Sequence, residues 1–240
     1  MRRAALALVA LALTGCETTA EKSAKLEREA KSHGVQTVAK GLSITRQSKQ
    51  VEVLSATVVN SSEGSAAIVT LRNTSARALR DIPLAVTVRD ARGAIVYSNS
   101  GAGLAHTLVS APVLAAHGEL TWIDDQVQAR GGAPASVSAE VGEAPPARGA
   151  IPRIGIEGTR LFEDQTNGVG AEGTAVNHSR VAQQELVIYA LALRSGRVVA
   201  AGRAVLPQLA ADASTHFQVF FIGDPHGAQL QVSAPPTTLG

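Results

Sequence analysis

The sequence predicts an all-β chain: two tandem β-sandwiches behind a short N-terminal polar helix that serves as a tether. Three observations predict it. From about Leu42 onward, short runs rich in Val, Thr and Ile alternate apolar with polar residues, and Asn, Gly, Ser and Pro separate them. Several of these runs recur in the same order with a period of about 100 residues. The chain has 240 residues, 45% hydrophobic and 18% charged, enough apolar material for two cores and too little charge for a disordered chain.

The first segment reads as an address. Arg2 and Arg3 precede an apolar run from Ala4 to Leu13, which is too short to span a bilayer and fits a secretory signal. The run ends in Leu13-Thr14-Gly15-Cys16, and Cys16 is the single cysteine of the chain. That stretch resembles the lipobox of bacterial lipoproteins. The resemblance implies cleavage before Cys16, diacylation of its thiol and acylation of its new amine. Residues 1–15 are then a signal peptide, the membrane is a partner through acylated Cys16, and the rest is extracytoplasmic; the alternative is an ordinary signal with a chance cysteine. Two or three acyl chains, at about 0.8 kcal/mol per buried methylene, anchor durably. In the lipoproteins it resembles, an aspartate after the cysteine retains many at the inner membrane of diderm bacteria, so Glu17 implies the outer membrane if the host is diderm; the expected location is the outer membrane or cell surface. Removal of residues 1–15 deletes Arg2 and Arg3 and leaves 20 basic against 20 acidic residues. That balance excludes a nucleic-acid partner and a polybasic grip on anionic lipid.

Residues 16–41 form the tether. Thr18 and Glu21 fit a capping box, Glu21 and Lys25 make an i,i+4 pair, and Gly34 ends the helix. Leu26 is the one large apolar residue between Glu21 and Lys31, so the helix has no face to bury and no coiled-coil seam.

The repeat defines the rest. Ile68–Ser75 matches Gly173–Ser179, Val86–Gly93 matches Leu191–Gly196, and Leu114–Gly118 matches Leu209–Ala213. Leu120–Ile123 matches Phe217–Ile222, and each copy closes on Ala-Pro-Pro, at 144–146 and 234–236. The copies span 42–144 and 152–236, joined by a Pro/Gly linker at 145–151 and followed by a tail at 237–240. Strands are expected at 50–59, 66–73, 84–90, 94–98, 106–114, 119–124 and 136–141. In the second copy they are expected at 154–163, 170–177, 185–194, 197–202, 204–209, 215–222 and 229–234. Seven short antiparallel strands per copy predict an immunoglobulin-like sandwich. The turns Asn73-Thr-Ser75 and Asn177-His-Ser179, with Val86–Asp90 followed by Gly93–Val96, resemble the FxLYD domain family of envelope proteins. Both copies lack that motif's aromatic residues. The resemblance implies no catalytic residue.

Chemistry is sparse in the sequence. His33, His106, His117, His178, His216 and His226 make no metal-ligand spacing, and no nucleophile elbow, phosphate loop or dinucleotide fingerprint occurs. Asp124-Asp125 and Glu163-Asp164 are neighbours on strands, where successive side chains point to opposite faces. The expectation is a non-enzyme with no cofactor and no metal. The acceptor pattern for N-glycosylation at Asn60, Asn73 and Asn177 is explained equally by turn formation.

One asymmetry marks a candidate interaction face. Aligning Val88 with Leu193 and Trp122 with Phe221 turns Tyr189, Leu191, Leu193, Val219 and Phe221 inward. It leaves Leu186, Ile188, Phe220 and Ile222 outward, an apolar surface for an envelope protein or a second copy of the chain, unless the first copy covers it. The expected function is therefore a lipid-anchored binding protein of the cell envelope. The alternatives are a structural spacer and, less favoured because aromatics are few, a carbohydrate- or small-ligand-binding module.

Overall fold

Alternating side chains and turn residues at the expected places produce fourteen strands in the computed structural model, which describes residues 41–240. The expected signal, Cys16 and the expected tether helix lie outside the described residues. In the first copy the strands are β1 (Val51–Ser61), β2 (Gly64–Asn73), β3 (Ile82–Arg89), β4 (Ile95–Ser98), β5 (Ser110–Ala111), β6 (Glu119–Asp124) and β7 (Ser136–Val141). In the second they are β8 (Ile154–Asp164), β9 (Gly168–Asn177), β10 (Gln183–Arg194), β11 (Arg197–Leu209), β12 (Ser214–Phe220), β13 (Ile222–Gly223) and β14 (Gln229–Ser233).

All pairings between strands are antiparallel, and the two copies repeat one plan. One sheet runs β1-β2-β6 and its equivalent runs β8-β9-β12. Facing these, β3 pairs with β4 and β7, and β10 pairs with β11 and β14. Each copy is thus a two-sheet sandwich. In the first, Val69 opposite Trp122 and Leu71 opposite Leu120 face Leu84, Val86 and Val88 across a dry core. In the second, Ala171, Ala175, Phe217, Val219 and Phe221 face Leu186, Ile188, Ala190 and Ala192.

Departures from the expected strands have local causes. The stretch 106–114 divides into a one-turn 3-10 helix, His106–Leu108, and β5. Asn99 fills the resulting gap in the sheet: its amide donates to the carbonyls of Leu84 (2.9 Å) and Leu108 (2.7 Å) and accepts from Val86 N–H (2.7 Å). In the second copy no such insertion occurs, and 197–209 runs as one strand. The expected strand 215–222 breaks at Phe221, where the chain leaves the β9 edge as β12 and crosses to the β11 edge as β13. The 145–151 linker is tied to the first copy: Arg80 N–H donates to Pro145 and Ala147 N–H to Ala78.

Two buried asparagines anchor the repeat. The Asn73 amide donates to the carbonyls of Arg77, Leu114 and Ala115, and its oxygen accepts from Ser75 N–H and Oγ. Asn177 does the same with Val181, Ala210 and Ser179. Asn73 and Asn177 are 104 positions apart, and Asp81 and Glu185, at the same spacing, both take a left-handed conformation at φ 48° and 47°. These amides are consumed inside the fold, which explains the Asn-x-Ser pattern as turn chemistry.

Candidate functional site

The asparagine anchors fix which residues of the second copy face inward. At a spacing of 104, Ile82, Leu84, Val86 and Val88 correspond to Leu186, Ile188, Ala190 and Ala192, and all eight are fully buried. The sequence alignment of Val88 with Leu193 is one residue out of step, and in a strand one residue exchanges the two faces. Leu186 and Ile188 therefore lie in the second core and form no docking surface, which corrects the expected face. Register also pairs Trp122 with Val69 and Phe217 with Gly173, so the counterpart of Trp122 is Phe217 rather than Phe221.

The true outer face of β10 carries Val187, Tyr189 and Leu191, and it is covered. With Ala201 and Ile222 they join the first copy's cluster, which includes Ile68 and Ile123 from the outer face of β2 and β6. One uncharged run, Leu186–Leu193, is thus buried on both sides, as its continuous apolar character requires. Of the expected face, Ile222 lies in this contact and Phe220 alone stays half-buried at the surface, its ring edge-on to Phe162 at 5.4 Å.

Polar groups are embedded at the border of this contact. Asp124 points into the first core and accepts the Tyr97 hydroxyl at 2.6 Å. Its neighbour Asp125 points the other way and accepts Arg203 N–H at 3.1 Å, while the Arg203 guanidinium donates to Thr107 Oγ1 at 2.8 Å. Burial holds both carboxyls above the ordinary aspartate value, with the bonds from Tyr97 and Arg203 offsetting part of it. Burial, and then the Asp124 charge, likewise pushes Tyr97 up. Tyr189, directly across from Arg203 on β11, buries a hydroxyl that has no partner among the described residues. The two carboxylates diverge, so they make no acid–base dyad.

A Ser–His–Asp grouping that the sequence reading missed lies at the rim: Ser110 Oγ is 2.9 Å from His106 Nε2, and Asp81 Oδ1 is 3.6 Å from the same nitrogen. A nucleophilic triad needs the carboxylate on the opposite ring nitrogen, so this cluster cannot relay a proton as one. Ser110 Oγ also donates to the His106 carbonyl at 2.9 Å, tying it to the 3-10 turn. The four-residue spacing of His106 and Ser110 was the available signal. Elsewhere His226 stands between Asp224 (2.7 Å) and Glu163 (3.5 Å), on different ring nitrogens, and the hydrogen bond to Asp224 raises its pKa. Glu172 gathers Arg160, Gln218 and His216 on the exposed face of β9, and Arg160 lowers its pKa. Among the described residues no three metal-ligating side chains converge.

Beyond the zone of contact the copies part to form a cleft of about 610 Å³. Tyr189, Leu191, Gln231 and Ser233 line one side, Thr70, Leu120 and Thr121 the other, and Ile151, Ile154 and Ile156 also contribute to the lining. Glu119, paired with Arg72 at 2.6 Å, is the one ionisable carboxylate on its wall.

No family model matches the chain. No curated protein matches it. Among solved structures the chain is similar to the exo-chitosanase CsxA of Amycolatopsis orientalis, at 13% identity and a TM-score of 0.29. The match covers 77% of this chain and 26% of that one, so the chain spans about a quarter of that enzyme's length, and a likeness this distant carries no functional argument.

Proposed function

We propose that this chain is a lipid-anchored, extracytoplasmic binding protein of the cell envelope, without catalytic activity of its own. The observation that carries the reading is the apolar contact between the copies, Ile68 and Ile123 against Val187, Tyr189, Leu191 and Ile222, which makes a preorganised body rather than beads on a string. The Leu13–Cys16 motif supports the anchoring. The divergent Asp124 and Asp125 and the misdirected Ser110–His106–Asp81 grouping support binding over catalysis.

Two measurements test it. Mass spectrometry of the native protein should find acylated Cys16 at the N-terminus, and Cys16→Ser should leave uncleaved precursor; a mature unacylated chain removes the anchor from the proposal. Photo-crosslinkers scanned over the exposed residues in the native host should yield discrete adducts with a defined protein. Their complete absence leaves only a spacer role.

A further inference from the structure

The cleft between the copies is bordered by an open strand edge. β14 is the last strand of its sheet, paired with β10 on one side only. Among the described residues no backbone bond meets Gln229–Ser233 from the other side. Gln231, Val232 and Ser233 also line the cleft, so unpaired main-chain groups and an apolar wall share one space. An edge of this kind is a template for another strand.

The first copy displays the same edge partly filled. There the segment before β1 runs back along the end of β7: Ser48 N–H donates to Val141 at 2.8 Å, Glu143 N–H donates to Arg46 at 3.1 Å, and Gln47 bridges to Gly142. In the second copy the equivalent positions are Ala234, Pro235 and Pro236. Prolines have no N–H to offer, and the preceding segment turns away, with Ala150 accepting from Gly240 instead. Ile151, which would have approached that edge, stands 42% exposed in the cleft mouth.

We infer that the cleft receives one extended, uncharged segment of a partner protein, added as a strand to the open edge of β14. The inference rests on the binding function proposed above and names the class of partner. Chemistry selects the occupant. The cleft continues the apolar contact between the copies through Tyr189 and Leu191, which favours apolar side chains on one face of the incoming strand. Gln231 and Ser233 beside Leu191 and Tyr189, and Thr70 and Thr121 across the cleft, add neutral hydrogen-bonding groups, and Glu119 is already neutralised by Arg72. A charged segment would lose its hydration without finding a counter-ion. At about 610 Å³ the space holds a few residues of chain, the length of a short strand.

The test places a photo-crosslinking phenylalanine analogue at Gln231 in the full chain, in its native host, with the analogue at Arg197 or at Phe220 as reference. Digestion and mass spectrometry then read the captured segment. The expected adduct at Gln231 is one short segment with alternating Val, Thr or Ile and no charged residue, drawn from a different protein. The exposed-site substitution Ile151→Arg should lower its yield at least tenfold while leaving the folded chain's circular dichroism unchanged. Adducts at Arg197 or Phe220 with none at Gln231 would overturn the cleft and keep the binding function. A charged or helical segment, or a segment of this same chain, at Gln231 would overturn the partner class. Absence of adducts at every position would remove the binding function itself.

Discussion

Ile123→Ala measures how much the contact between the copies contributes to stability. Ile123 lies on the outer face of β6, opposite Ile68 on β2, and would be a surface residue of an isolated first sandwich. In the whole chain it is fully buried, within the cluster that includes Val187, Tyr189, Leu191, Ala201 and Ile222. The substitution removes three carbon atoms, worth about 2.4 kcal/mol in transfer at about 0.8 kcal/mol each. The cavity left in a contact that cannot fully close brings the expected loss to about 3–4 kcal/mol. Ile95, 58% exposed on β4, is the control, and Ile95→Ala should stay within about 0.5 kcal/mol of the parent. Urea unfolding followed by the single tryptophan, buried Trp122, reads the first copy, and far-ultraviolet circular dichroism reads the whole. Equal, small effects at Ile123 and Ile95 would refute the covered face, because an exposed isoleucine is the only one that can be trimmed so cheaply.

Ile188→Lys should cost about 4 kcal/mol or more, since it places an unpaired charge in the second core, whereas Phe220→Glu at the half-buried surface should cost under about 1.5 kcal/mol; thermal melts of the two single variants check this, and equal effects would contradict the assigned faces. Asn73→Ala should destabilise by about 3 kcal/mol and more than Asn177→Ala, because it strips three carbonyls of a donor, the one of Leu114 fully buried, instead of two, as urea titrations will read. Asp124 titrates above its ordinary value, so the folded chain holds that proton more tightly than the unfolded one. The resulting stabilisation is complete below the ordinary aspartate range and is lost as pH rises through the raised value. Asp124→Asn, which keeps an acceptor for Tyr97, should flatten this slope and be at least as stable as the parent at pH 8; a variant weaker at pH 8 than at pH 4, relative to the parent, would show that the charge is fully compensated.

Strand positions were legible because Val, Thr and Ile alternate and Asn, Gly and Pro interrupt; β2, β6 and β7 lie within two residues of where the pattern puts them. The face of β10 was not legible, because Leu186–Leu193 is apolar at every position but Tyr189's hydroxyl, and an uninterrupted run has no parity to read. Aligning Arg89 with Arg194, each the last residue of its strand, set the register wrongly; the asparagines, whose side chains each tie their own turn to a second loop, were the stronger anchors. Trp122 and Phe217 went unmatched for the related reason that the connection before each differs in length, and only hydrogen-bond register reveals the equivalence. The cleft was invisible in the sequence, since it depends on which copy's edge a distant segment fills.

The double burial of β10 bears on the order in which the chain is made. Leu186–Leu193 carries no charge, proline or glycine and has the composition of an aggregation-prone window if left exposed. Synthesis delivers the N-terminal half first, so Ile68 and Ile123 can already be presented on a finished sheet when β10 emerges. The earlier copy then acts for the later one as a covalently attached chaperone, shielding the outer side of that strand. A tandem pair of sandwiches in which the later copy carries one apolar outer face is tolerable in that order of emergence and hazardous in the reverse.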